Sequence, residues 1–304
     1  MEKKTGGMLV LFTAVVSGFS VFVNKLAVSG ADPYLFTFLK NSAVAAFLMC
    51  VILGLKEHRV LREFSAKQWG SLALVGLLGG SVPFLLFFRG LQLTDGVTAG
   101  FIHKTMFIFV AAFAMIFLKE RVTKGMIAAG ALLLAGNALL LGLSQASIGL
   151  GALMVLAATV LWSAENVFSK HVLKTMEGIH VAFGRMLFGS LFILLFLAVT
   201  GSISGIAALS ASQWHWTALT SLFLLLYVAS WYTGLKHIKV TTASAVLMLG
   251  SVITTSLSYA FLDAQLTTLQ AAGMLMLLSG VLLAAALSDI ADSIKVFLPW
   301  SARR

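Results

Sequence analysis

The side chains that could do chemistry are few, and they stand where charge is expensive. His103 and Lys104 lie in "GFIHKTMFIF", inside a run from Val97 to Leu118 that is otherwise free of charge. Lys40, Glu165 and Arg185 lie in apolar runs of the same kind. An ionisable side chain near the centre of a hydrocarbon layer costs about 2.5–3.5 kcal/mol on insertion scales unless it meets water or a partner. A lysine or arginine facing water there attracts the carboxylate or phosphate of a solute, and a histidine there is a candidate proton carrier. Glu165 has two readings, an internal ion pair with Arg185 on the next helix or a cavity-facing proton or cation site. Lys104 likewise either borders a wet cavity or snorkels to the interface. Lys40, His103 and Lys104 fall at comparable depth, so they are expected to gather around one half of a single cavity.

Weaker polar residues and aromatics complete the candidates. Thr13, Ser17, Ser20 and Asn24 are spaced four, three and four apart and share one helical face; small residues on such a stripe serve close packing as readily as a ligand. Tyr227 and Trp231, four apart, also share a face, with Tyr232 beside them. Aromatic walls suit a planar or partly apolar solute, or a cation held over a ring, whereas Trp69, Trp214, Trp216 and Trp300 read as an interfacial belt. The candidate solute-binding set is therefore Ser17, Asn24, Lys40, His103, Lys104, Trp162, Glu165, Arg185, Tyr227 and Trp231. No catalytic, cofactor-binding or metal set stands beside it: the sequence has no HExxH, GxSxG or CxxC and no acidic pair at metal-ligand spacing. The single cysteine, Cys50, builds neither a disulfide nor a thiolate site.

These residues must be positioned by membrane-spanning helices. Of 304 residues 60% are hydrophobic and 11% charged, against about 25% charged in soluble domains. The pI of 9.9 implies no nucleic-acid partner, because the basic residues sit in connections between apolar runs. Ten runs are long enough to cross a bilayer: about 7–28, 33–55, 69–88, 97–118, 124–143, 148–168, 178–199, 213–233, 240–262 and 267–287. The start "MEKKTGGMLVLF" has the form of a signal peptide but is read as an uncleaved first helix. Lys3, Lys4, Lys56, Arg59, Arg62, Lys67, Lys119, Arg121, Lys124, Lys170, Lys174, Lys236, Lys239, Lys295, Arg303 and Arg304 all fall on one side, which places both termini in the cytoplasm of a cell-membrane protein.

The halves resemble each other. "FVNKLAV…FTFLKNSAVAAFL" aligns with "VFSKHVL…VAFGRMLFGSLFI" at an offset of about 145, and "FFRGLQLTDGVTAG" with "WYTGLKHIKVTTAS" at about 144. Thr13, Ser17, Ser20 and Asn24 thereby become equivalent to Ala158, Trp162, Glu165 and Ser169, and Lys40 to Arg185. Five spans per copy is odd, so two copies joined head to tail insert with opposite orientations. The expected division is one five-helix unit over 1–145, an inverted one over 146–290 and a tail over 291–304.

"GLQLTDGVTAGFIHKTMFIFVAAFAMIFLKERVTKGMIAAGALLLAGNALL" resembles the fourth and fifth helices of the EamA branch of the drug/metabolite transporter superfamily, with Leu118, Glu120 and Thr123 matching its "L-x-E-x-x-t" turn. Lys25 and Lys170 match the basic residue ending the first helix of each repeat, and Lys40 and Arg185 the one early in the second. The resemblance implies an all-α fold of ten helices in two inverted sets of five, and a central cavity that carries small organic solutes, often amino acids. Two departures stand out: Met106 replaces a common proline, and "IHKT" puts charge where relatives are apolar or small. The expected partners are a small-molecule solute and the bilayer, with protons as coupling ion and a second copy of the chain admitted. A phosphate-ester or nucleotide-sugar exchanger and a membrane enzyme for lipid-linked substrates are the alternatives.

Overall fold

The computed structural model describes residues 3–27, 32–94, 96–142, 149–261 and 266–287, except the side chains of Lys25 and Val97. The expected tail at 291–304 and the role expected of the Lys25 side chain lie outside the described residues. All ten expected spans are helical: α1 (Lys3–Asn24), α2 (Pro33–Gly54), α3 (Ala66–Leu93), α4 (Thr98–Leu118), α5 (Lys124–Leu141), α6 (Leu150–Val172), α7 (Gly178–Val199), α8 (Ala211–Leu235), α9 (Val240–Phe261) and α10 (Thr268–Ala286). Large apolar side chains point outward around the bundle, among them Val199, Phe117 and Leu150, 79%, 71% and 68% exposed. Such a surface belongs against hydrocarbon.

Helix α3 departs most from its expected bounds. It starts early because Ser65 and Gln68 form a reciprocal capping box, and Pro83 does not end it. Pro83 follows a π turn at Gly76–Ser81 and stands in the first turn of the next helical segment, Val82–Leu93. A missing N–H is tolerated there. Two further helices are broken. In α4 regular helix stops at Lys104 and resumes at Met106, the Thr105 N–H being shared between the Phe101 and Ile102 carbonyls at 3.2 and 3.1 Å. In α9 it stops at Leu247 and resumes at Leu249. With the offset of about 144, the two interruptions fall within a residue of equivalent places.

The packing is two-fold. Helix α1 lies against α8 and α9, and α6 against α3 and α4; α2 pairs with α7 and α5 with α10. Adding five to each helix number of the first half, and subtracting five in the second, returns the same pairs. The glycines repeat the symmetry in detail. A Cβ on Gly90 would stand 2.7 Å from the Gly151 carbonyl oxygen. Its counterpart on Gly234 would stand 3.0 Å from that of Gly6. The α5·α10 seam closes on itself, a Cβ on Gly136 meeting the Gly273 oxygen at 2.8 Å and one on Gly273 meeting the Gly136 oxygen at 2.8 Å. Small residues permit this backbone-to-backbone approach in lipid, where apolar area alone gives helices no reason to associate. The architecture is that of two inverted five-helix repeats.

Because Gly136 meets backbone rather than a flexible side-chain end, Gly136→Val is expected to cost about 1–3 kcal/mol as overpacking. The measurement is a lowered melting temperature in detergent; an unchanged melt would show that the α5·α10 seam has slack.

Candidate functional site

The densest polar cluster forms where α3 loses its regular register. Pro83 has no N–H to return to the carbonyl four residues earlier, that of Gly79. That oxygen instead accepts from Trp162 Nε1 on α6 at 3.1 Å and from Arg185 Nη2 on α7 at 3.0 Å. One residue on, the Gly80 carbonyl accepts from Asn41 Nδ2 on α2 at 2.9 Å. Three helices are thus tied to one π turn. Gly79 must be glycine: a Cβ would lie 2.7 Å from Glu165 Cγ and 2.8 Å from Arg185 Nε.

Glu165 and Arg185 are brought together but not as an ion pair, one of the two readings of Glu165. Arg185 turns its guanidinium to the Gly79 carbonyl. Glu165 Oε1 accepts from Ser169 Oγ at 2.5 Å and from Tyr232 OH at 2.7 Å. Among the described residues no Glu165–Arg185 N···O distance falls within 4.0 Å. The freed carbonyl offers Arg185 a neutral acceptor closer than the carboxylate, so of the two readings the direct ion pair is the one that is not formed. Both groups are buried, Glu165 2% and Arg185 8% exposed, and Arg185 Nε has no hydrogen-bond partner. The charges therefore act through short space and a shared glycine, in surroundings where water screens little.

A second cluster sits at the break in α4. The Trp162 ring lies 5.0 Å from His103, 5.1 Å from Phe84 and 5.5 Å from Phe87, centroid to centroid. His103 Nδ1 is buried without a hydrogen-bond partner. Lys104 is half-buried beside it and forms no hydrogen bond or ion pair among the described residues. From Trp162 the path continues through Asn166. Its Nδ2 donates to the Trp162 carbonyl at 2.9 Å and approaches Met106 Sδ at 3.7 Å. Its Oδ1 accepts from Trp231 Nε1 at 3.1 Å. Trp231 in turn stacks on Tyr227, with 6.1 Å between centroids and 15° between planes. His103, Trp162, Trp231 and Tyr227 therefore belong to one chain of contacts that crosses from the first half into the second.

Lys40 does not join His103 and Lys104, contrary to the expected gathering. Its Nζ donates to Asn24 Oδ1 at 2.6 Å and lies 5.1 Å from the Phe36 ring centre. An amide one helix away satisfies the ammonium locally, so it has no reason to reach across. Asn24 Nδ2 donates to the Ser20 carbonyl and Oγ at 2.7 and 3.0 Å. Ser17 faces α9, its Cβ 3.4 Å from where a Gly250 Cβ would stand, which is packing geometry. Thr13 pairs with Ser230 Oγ at 2.8 Å. The Asn24–Ser20 and Ser169–Glu165 hydrogen bonds occupy equivalent places in the two copies, one serving a lysine and the other lying beside an arginine.

Sequence reasoning left Gly79, Asn166, Ser169 and Tyr232 out of the site. Pro83 four residues after a glycine was the available signal for the freed carbonyl, and Tyr232, adjacent to Trp231, was visible only as one more aromatic.

The EamA-like transporter family model matches residues 4–142 and again 149–286. The chain is 24% identical over 286 residues to "Uncharacterized transporter YoaV" of Bacillus subtilis (strain 168), covering 90% of this chain and 94% of that one. It is 24% identical over 298 residues to an "Uncharacterized transporter" of Clostridium kluyveri, covering 91% and 92%. A solved structure titled "Crystal structure of protein" superposes with a TM-score of 0.75 at 20% identity, over 94% of this chain and 99% of that one. That likeness concerns the fold.

Replacing Tyr232 with Phe removes one of two hydroxyls from a buried carboxylate. A loss of about 1–3 kcal/mol is expected, read as a lower melting temperature, and Glu165→Gln in the same background is expected to recover part of it. Additive losses in the double variant would show that the hydroxyl and the carboxylate act independently.

Proposed function

Since the chain belongs to the EamA-like transporter family, we propose that it is a secondary transporter for a small zwitterionic metabolite, an amino acid or a close relative, working by alternating access. The observation that carries this reading is the pair of interruptions in α4 and α9 at equivalent places of the two repeats. Discontinuous helices in corresponding positions are where inverted-repeat transporters build their solute sites. Here one interruption presents His103 and Lys104. Lys104 is the group for a solute carboxylate. Trp162, Trp231 and Tyr227 supply faces for the ammonium or a side-chain ring, and Glu165 gives the same end of the solute a negative potential.

A phosphate dianion would call for several converging cations. Lys40 is already satisfied by Asn24 and Arg185 by Gly79, which favours a carboxylate over a phosphate ester. Glu165 and His103 are the groups that would carry protons if transport is proton-coupled. The excess of Lys and Arg on one side supports a cell-membrane protein with both termini in the cytoplasm.

The test is uptake of labelled amino acids and of labelled phosphate esters into proteoliposomes. Lys104→Met is expected to raise the apparent KM for amino acids about tenfold or more, the loss of one charge-assisted contact, while the melting temperature stays within a few degrees. An unchanged KM would place the lysine at the lipid interface and remove it from the site. Uptake of phosphate esters but not amino acids would overturn the assigned solute class.

A further inference from the structure

The helices of the second half do not all cap themselves. Helix α9 begins after Lys239, which offers no side-chain cap. Its first N–H groups are held instead by Glu120, from the end of α4: Oε1 accepts from Val240 N at 3.0 Å, and Oε2 from Thr241 N at 3.3 Å and Thr241 Oγ1 at 2.7 Å. A carboxylate at a helix N-terminus meets unsatisfied donors and the positive end of the dipole, and here it comes from the other repeat. At α7 a carboxylate of the other repeat meets a side chain rather than the helix N–H groups. Glu57, after the end of α2, places Oε2 3.3 Å from Nε2 of His180 in the first turn of α7. Both acids sit in a Leu-Lys-Glu corner, Leu55-Lys56-Glu57 and Leu118-Lys119-Glu120, and in both the lysine is left-handed, with φ of 60° and 55°. A non-glycine residue in that conformation is uncommon. Two of them turn the following glutamate onto the opposite half.

The other face of the membrane lacks the device at the corner that corresponds to Glu57. At an offset of 145 the equivalent of Lys56 is Gly201, whose φ of 70° repeats the turn, but Ser202 follows where Glu57 would be. Helix α2, which begins on that face, is capped by its own Asp32, through Tyr34 N at 2.8 Å and Leu35 N at 3.0 Å. Among the described residues, the contacts that tie one half to the other through carboxylates lie on the lysine-rich face, where α2 and α4 end.

We infer that Glu120, seconded by Glu57, is the latch that holds the lysine-rich face of the transporter shut. The inference rests on the rocking of the two repeats proposed above. Opening that face separates the end of α4 from the start of α9, which strands the Val240 and Thr241 N–H groups. Closing it restores them. On the opposite face the Gly201 corner, the equivalent of Lys56, makes no such contact among the described residues, so Glu57 has no counterpart there, and Glu120 weights the balance toward the state in which the lysine-rich face is closed.

The test needs no solute, so an error in the assigned substrate would leave it standing. In a Cys50→Ser background, spin labels at Arg121 and Lys174 report the lysine-rich face, and labels at Gln92 and Ser204 the other. Glu120→Ala is expected to add a longer-distance population to the first pair and a shorter one to the second, with a larger shift when Glu57→Ala is combined. If Glu120→Ala does not yield folded protein, Glu120→Gln, which keeps one acceptor, is expected to show the same shift in smaller proportion. Unchanged distances in a folded variant, or broadening of both pairs alike, would overturn the latch.

Discussion

The arrangement depends on one carbonyl oxygen. Pro83 cannot return a hydrogen bond to Gly79, and the π turn beside it leaves that oxygen pointing out of α3. Trp162 and Arg185 take it from two directions, which fixes the ring that packs on His103 and the guanidinium that lies beside Glu165. A neutral acceptor thereby does what an acid would otherwise have to do. Arg185 is held without neutralising Glu165, and Glu165 is held by hydroxyls without being neutralised by Arg185. The two buried ionisable groups stay close but unjoined, on either side of Gly79.

Much of the fold could be read from the sequence, because bilayer thickness and odd-numbered repeats leave few choices. The apolar runs, the offset near 144–145 and the alternation of basic connections each follow from single residues or short counts. The placement of His103 and Trp162 in a common cluster was half-legible: their separate positions on polar stretches were visible, their meeting was not. The ion-pair reading of Glu165 with Arg185, one of two, rested on depth alone. Depth does not reveal that a third group, Gly79, lies between. The expected convergence of Lys40 with Lys104 failed for a similar reason, since Asn24 is one turn from Ser20 on its own stripe and reaches Lys40 first. Glu120 illustrates a different limit. In sequence it is an ordinary loop acid; only the packing of α4 against α9 shows that its partner is a helix start 120 residues away.

The two copies use the same scaffold for different ends. Equivalent positions carry Asn24 and Ser169, Ser20 and Glu165, Lys40 and Arg185, so the stripe geometry is kept while the charges are redistributed toward the second half. Lys104 has Met248 as its counterpart near the second break. An inverted repeat with identical halves would present the same potential to either side of the membrane. In this one Lys104 lies on α4 of one half and Glu165 on α6 of the other, so the two halves are not electrostatically equivalent.

The paired glycines at Gly90–Gly151 and Gly6–Gly234 have a mechanical consequence. Where side chains interlock, sliding one helix past another means lifting each knob from its hole and resetting its rotamer. At these glycines the knob is missing from one side only: the backbones touch directly, while Val155, Leu93, Val10 and His237 pack against the bare Cα atoms. The α3·α6 and α1·α8 seams therefore carry fewer interlocking side chains at equivalent places of the two repeats, which lowers the resistance to sliding there.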